Sequence, residues 1–398
     1  MNATIAERYI RAAHGVNLHH DGFIDAYFGN PAWTEAFSSN LEELETELEQ
    51  LQADVAQLEP IERRAFLKVQ ITAMLTVVKL KRRETISFLE EVRGLHDINA
   101  IRKPETLFEA AHQKLEQLLP GTGSIMERWQ VSREKFRIPA EHLRAVVDVI
   151  NLELQSRSHK MFDLGTAESC EFQMVHNKPW GGYNWYLGNG CSRIEINTDL
   201  PKYLNDLPDL VAHEAYPGHH TEHIVKEKKL LLENDWQEFS IQLLNSPESV
   251  LAEGIATSAL EVVMPEPELV AWISQELTQV AGLNLSLEEL ETAFQIEQAR
   301  DGLAYVEGNA AIMLFQDQES EKMVLEYLQH YGLHNVTEAQ KKLEFIHHAR
   351  AYVYTYTTGY DLLKTLFEQG DKTTIFKRLL EQPVTPSQLR DWADEARA

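Results

Sequence analysis

Cysteine is nearly absent from this chain, with only Cys170 and Cys191 among 398 residues. Two thiols so far apart in sequence build no disulfide framework and match no metal-binding spacing. Both read as small buried hydrophobes, and a reducing cytoplasm is the expected compartment. No run of 18 apolar residues occurs, so no membrane-spanning helix is expected. The opening stretch Met1-Asn2-Ala3-Thr4-Ile5-Ala6-Glu7-Arg8 carries an acid and lacks the apolar core of a secretory leader. Serine- and glycine-rich linkers, internal repeats and low-complexity tracts are missing too, so a domain boundary would be a packed interface rather than a tether. Positive charge is scarce: 37 Lys and Arg face 62 Asp and Glu, a net charge of −25. Such a surface repels phosphate backbones, so neither nucleic acid nor membrane is an expected partner.

Helical periodicity dominates what is present. Leu41, Leu44, Leu48, Leu51, Val55 and Leu58 recur at steps of three and four, the spacing of one helix face. The stripe is under three heptads long, which favours a helix packed on its neighbours and leaves a homodimer through it open. Pro60 opens a helix expected to run to about Val92, and Pro139 opens another reaching about Lys160. The β-like segments are Cys170–Val175 and Arg193–Asn197, which alternate as strands do. Between them lies a run of turn formers and aromatics, with Tyr183, Asn184 and Trp185 as candidate walls of a peptide-binding edge. The expected fold is mainly α, a large helical architecture with a small antiparallel β-sheet beside a functional helix. Residues 1–163 would form an N-terminal helical region and 164–398 a metal-site region, packed together or continuous as one domain.

The chemistry concentrates in His213-Glu214-Ala215-Tyr216-Pro217-Gly218-His219-His220. Zinc hydrolases draw two imidazole ligands and a carboxylate base from H-E-x-x-H, whose histidines share a helix face about 6 Å apart. Here Pro217 stands where the second histidine would fall, and His219 is six residues on. In an unbroken helix that is roughly 9 Å further and about 240° around, too far to share one zinc. Pro217 cannot continue a regular helix, and Gly218 reaches backbone angles other residues avoid. A bulge or kink at Tyr216–Gly218 would return His219 to the metal face. Alternatives are His220, or His219 paired with His223 on the helix that follows.

A catalytic zinc needs three protein ligands and an open position. Glu253 in Leu251-Ala252-Glu253-Gly254-Ile255-Ala256 is the preferred third. It lies far enough beyond His219 for one helix to finish and a second to return. Gly254 and Ala256 would let its helix pack closely. Glu248, Glu261 and Glu307 compete. Glu214 would take a proton from water on the metal and pass it to a leaving amine. Tyr352, Tyr356 and Tyr360 fall on one helical face, with Tyr356 preferred as oxyanion donor and Arg350 as anchor for a substrate carboxylate.

The motif, followed by an apolar helix and an Ala-Glu-Gly stretch, resembles a broad group of bacterial proteins of unknown function regarded as metallopeptidases related to the gluzincins. The resemblance spans most of the chain, including Leu207-Pro208 and Tyr356-x-x-Gly359, and departs where Ile255 replaces an aromatic. It implies His213, His219 and Glu253 as ligands, Glu214 as base, and a site in a deep channel between helical halves. The expected function is a zinc-dependent peptidase on oligopeptides. The alternatives are a non-hydrolytic metal-binding protein and a metal-free helical interaction protein.

Overall fold

The computed structural model describes residues 3–178 and 180–397. It is mainly α-helical, and its helices begin where local chemistry says they should. Helix α1 spans Ile5–Asn17 and α2 spans Leu41–Val55, where Asn40 accepts from the amides of Glu42 and Glu43. Leu44, Leu48, Leu51 and Val55 of α2 are fully buried. The stripe a second copy could have used is therefore already covered within the chain. Helix α3 covers Ile61–Lys81 and α4 Phe88–His96. The single helix expected to reach Val92 is thus two. Arg83 takes a positive φ of 61°, and a capping box of Ser87 with Glu90 starts α4 afresh. Helices α5 (Glu105–Leu118) and α6 (Ile125–Arg133) flank the loop Leu119-Pro120-Gly121-Thr122-Gly123-Ser124, and α7 runs from Ala140 to Met161.

Two small sheets are present. Strands β2 (Ser169–Val175), β3 (Gly182–Gly188) and β4 (Cys191–Asn197) lie in the order β2-β4-β3. The segment between the two predicted strands is itself a strand. It pairs antiparallel with β4, so β2 and β4 run parallel and β3 is left at an edge. Strand β1 (Ile24–Tyr27) pairs antiparallel with β5 (Ile241–Leu243), joining segments that lie far apart along the chain.

Two hydrophobic cores form, and they meet across two helices. One core collects α1–α4 with later helices; the other collects α7, the three-stranded sheet, α8 (Leu207–Glu214) and the C-terminal helices. Helix α9 is His219–Lys226 and α10 is Pro247–Val263. Helix α10 gives Val250 to the first core and Leu251, Ile255 and Ala259 to the second. The helix Val353–Phe367 likewise gives Val353 and Tyr354 to one core and Leu363, Leu366 and Phe367 to the other. The pair cross where Gly254 meets Gly359 backbone to backbone: a Cβ on Gly359 would sit 2.1 Å from the Val250 carbonyl oxygen and 2.9 Å from Gly254 Cα. Gly359→Ala is therefore expected to lower the unfolding free energy by about 3 kcal/mol through overpacking, read from urea denaturation. A change within about 0.5 kcal/mol, the usual surface value, would mean the crossing is loose.

Candidate metal centre

Helix α8 ends at Glu214, because Ala215 leaves helical angles (φ −113°, ψ −97°) and the Tyr216–Pro217 bond is cis. Gly218 folds back so tightly that its N–H donates to the Ala212 carbonyl at 2.9 Å, and α9 begins at His219. The motif is thus two short helices joined by a reversal, and the reversal does what an unbroken helix could not. The rings of His213 and His219 stand 4.8 Å apart, perpendicular to each other. Tyr216 is fully buried and pins the turn by donating to Glu168. Glu168 also accepts from Gln155 at 3.0 Å and contacts His159 and His220 at 2.7 and 3.0 Å. Burial alone would raise the Glu168 carboxyl, but these hydrogen bonds outweigh it and hold its pKa at about 2.

Glu253 arrives from α10. Its Oε2 lies 3.4 Å from His213 Nε2, and Tyr352 donates to its Oε1 at 3.2 Å. Ligand atoms of His213, His219 and Glu253 all lie within 4.8 Å of one another, the only such group of three or more among the described residues. The rival carboxylates are each held by a lysine: Glu248 by Lys226 at 3.5 Å, Glu261 by Lys372 at 2.5 Å, Glu307 by Lys342 at 2.6 Å. Glu253 alone of the four has none.

These residues fit a divalent cation. Glu253 Oε2 is buried without a hydrogen-bond partner, a costly state unless a cation or donor completes it. Burial would lower the His213 imidazole, yet Glu253 and the charges of Glu214 and Asp209 outweigh it and hold it at about 9. Imidazole, imidazole and carboxylate are a zinc donor set. Glu222 supports His219 from behind, its Oε2 at 3.7 Å from Nδ1, in the manner of outer carboxylates that orient metal-binding imidazoles.

The site opens into a cavity of about 470 Å³ lined by Glu214, Tyr183, Asn184, Tyr352 and Tyr356, among others. Asn184 Nδ2 donates to the Glu214 carbonyl at 2.7 Å. A Cβ on Gly182 would lie 2.8 Å from Glu214 Oε1, so a larger residue there would displace the Glu214 side chain. Burial raises the Glu214 carboxyl above its ordinary range, opposed by His213 and His219. Burial raises the Tyr356 phenol too, with the charges of Glu253 and Glu214 adding to it, which keeps the hydroxyl a donor.

Other sequence candidates lie apart. Arg350 does not face the cavity: it grips Glu91 with two hydrogen bonds, 2.9 and 2.6 Å, and covers the Phe315 ring. Trp185 packs against Tyr183 at 4.7 Å with the rings tilted by 42°, under Arg193, rather than lining the cavity. His220 is wholly buried between Ser192 and Glu168. His223 reaches the cavity wall but is held by Gln242 at 2.8 Å. Tyr360 is not among the cavity-lining residues. Sequence reasoning passed over Asp209, Glu222 and Asp25. The first two stand one turn from a histidine ligand, a spacing that could have flagged them. Asp25 enters only through the β1–β5 pairing, which no local pattern announces.

No family model matches the chain, and no curated protein matches it. Among solved structures it is similar to a putative lipoprotein from Colwellia psychrerythraea, with a TM-score of 0.51 and 14% identity over 90% of this chain and 68% of that one. A putative lipoprotein of unknown function from Shewanella oneidensis aligns less well, with a TM-score of 0.47 and 12% identity over 88% of this chain and 72% of that one. At such identities the likeness is one of fold. These findings overturn two expectations. The resemblance to a gluzincin-related peptidase family finds no matching model, and the structural neighbour at a TM-score of 0.51 is described as a putative lipoprotein. The cytoplasmic expectation falls with it, because this fold occurs in a protein described as a lipoprotein. It rested on two unpaired thiols, which decide no compartment. Among the described residues, no helix is long and apolar enough to cross a membrane.

Proposed function

We propose that this protein is a zinc-dependent hydrolase of peptide bonds. The observation that carries the reading is the convergence of His213, His219 and Glu253, whose buried Oε2 has no hydrogen-bond partner, with the buried Glu214 beside them. Three protein donors and no fourth among the described residues favour an open catalytic position over a closed structural site. A zinc ion held by His213, His219 and Glu253 would supply Lewis acidity, polarising a carbonyl and making water a better nucleophile.

The chain's own residues do the rest. Glu214, with its carboxyl raised by burial, takes the proton of the attacking water and returns it to the leaving amine. Its position is set by Asn184 on its carbonyl and by the gap over Gly182. Tyr356 supplies the phenol that donates to the developing oxyanion. Tyr352 orients Glu253, and Glu222 orients His219. The edge of β3 offers an extended peptide a strand to pair with.

The test begins with protein purified without a metal-affinity step. Wild type is expected to carry about one equivalent of zinc, and His213→Ala and Glu253→Ala almost none, since two ligands hold the ion far more weakly than three. Zinc-loaded wild type should then cleave members of a mixed oligopeptide pool, read by mass spectrometry. Absence of zinc after add-back, or a loaded protein that cleaves nothing, overturns the proposal.

A further inference from the structure

From the charges left over in the metal cavity, and resting on the hydrolase reading above, we infer that the site takes peptides by their free amino terminus, with Asp25 and Asp209 receiving the ammonium group. The cavity is lined by seven carboxylates and by no lysine or arginine. Five are accounted for. Glu253 and Glu214 belong to the metal site; Glu222 and Glu248 share Lys226 at 2.6 and 3.5 Å; Asp206 meets Arg133 at 3.4 Å. Asp25 and Asp209 remain. The Asp25 carboxylate is met only by the neutral Tyr183 hydroxyl. Asp209 makes no side-chain hydrogen bond or ion pair with a described residue and lies one turn before His213 on α8. Both line the cavity that His213 and His219 also line.

An independent observation points to the same ligand. Asn184 is 8% exposed and lines the cavity. Its Nδ2 is committed to the Glu214 carbonyl, while its Oδ1 has no partner. Among the described residues the wall thus presents an excess of carboxylate and amide acceptors and no lysine or arginine, the indole N–H of Trp180 being its one unpartnered uncharged donor. An ammonium is the complement, three donors with a positive charge and no acceptor. A carboxylate-first substrate meets the opposite situation: Arg350, the residue that would receive it, is bound to Glu91. Low-dielectric walls of one sign concentrate this preference at the bound substrate.

The experiment uses full-length, zinc-loaded Glu214→Gln protein, which allows binding without turnover. Calorimetry at pH 7 compares tri-alanine with N-acetyl-tri-alanine, the former carrying its amino group protonated. Tri-alanine should bind at least about tenfold more tightly, the scale of one desolvated charge pair. Asp25→Asn and Asp209→Asn, made separately so that one misfolded variant does not end the test, should each reduce that ratio while retaining zinc. Equal binding of the two peptides, no binding of either, or a ratio unchanged in both variants overturns the inference. The underlying reading fails separately. Preferential binding with no cleavage by wild type removes hydrolysis and keeps the amine site, and equal cleavage of both peptides removes the amine site and keeps hydrolysis.

Discussion

Gly218→Ala protein is expected to emerge from dialysis with less than about a tenth of the zinc held by wild type, as befits a site whose second ligand has moved. A Cβ at position 218 would fall 2.0 Å from the His213 carbonyl oxygen and 2.4 Å from that of Ala212. These are backbone atoms of the helix that bears the first ligand, so relieving the overlap moves either His213 or His219. The Gly218 N–H bond to Ala212 would be lost, and the Gly218 carbonyl, which accepts from Glu222 at 2.9 Å, would shift with it. Unfolding free energy should fall by about 3–5 kcal/mol, the range of severe buried substitutions. Elemental analysis with thermal denaturation checks both. A full equivalent of zinc in this variant would mean that the tight reversal is not what brings the histidines together.

The second large effect is on turnover. Glu214→Gln is expected to keep about one zinc and lose roughly 10²- to 10⁴-fold in kcat, the worth of a positioned general base. The amide nearly matches the carboxylate in shape and keeps the Asn184 contact, which is to the Glu214 backbone carbonyl, so the loss would be one of proton transfer alone. Gly182→Ala offers a graded comparison. Its new methyl would press on Glu214 Oε1 and on Leu210 Cδ1, 2.8 and 2.9 Å away, without touching a ligand. Misplacing the base by about an ångström costs roughly 10- to 100-fold. Zinc content should not change in either variant. If Glu214→Gln cleaves peptides as fast as wild type, Glu214 is not the base.

The sequence by itself determined the helical class, most helix starts and the segment that carries the candidate residues His213, Glu214 and His219. Those signals are local. Caps, prolines and apolar spacing act within a turn or two of the chain, and His213, Glu214 and His219 are neighbours along it. Even the break at Pro217-Gly218 was legible, because proline and glycine restrict or release backbone angles wherever they stand. The strand status of Gly182–Gly188 was obscured by its turn-forming residues, and pairing with β4 decided it. Only tertiary structure could choose Glu253 over Glu248, Glu261 and Glu307, because the choice depends on which lysine each one meets. It removed Arg350 and Trp185 from the cavity, and brought in Asp25 through a pairing of strands remote from each other in sequence. Charge and burial at a site are sums over whatever the fold assembles there, and no window along the chain contains those terms.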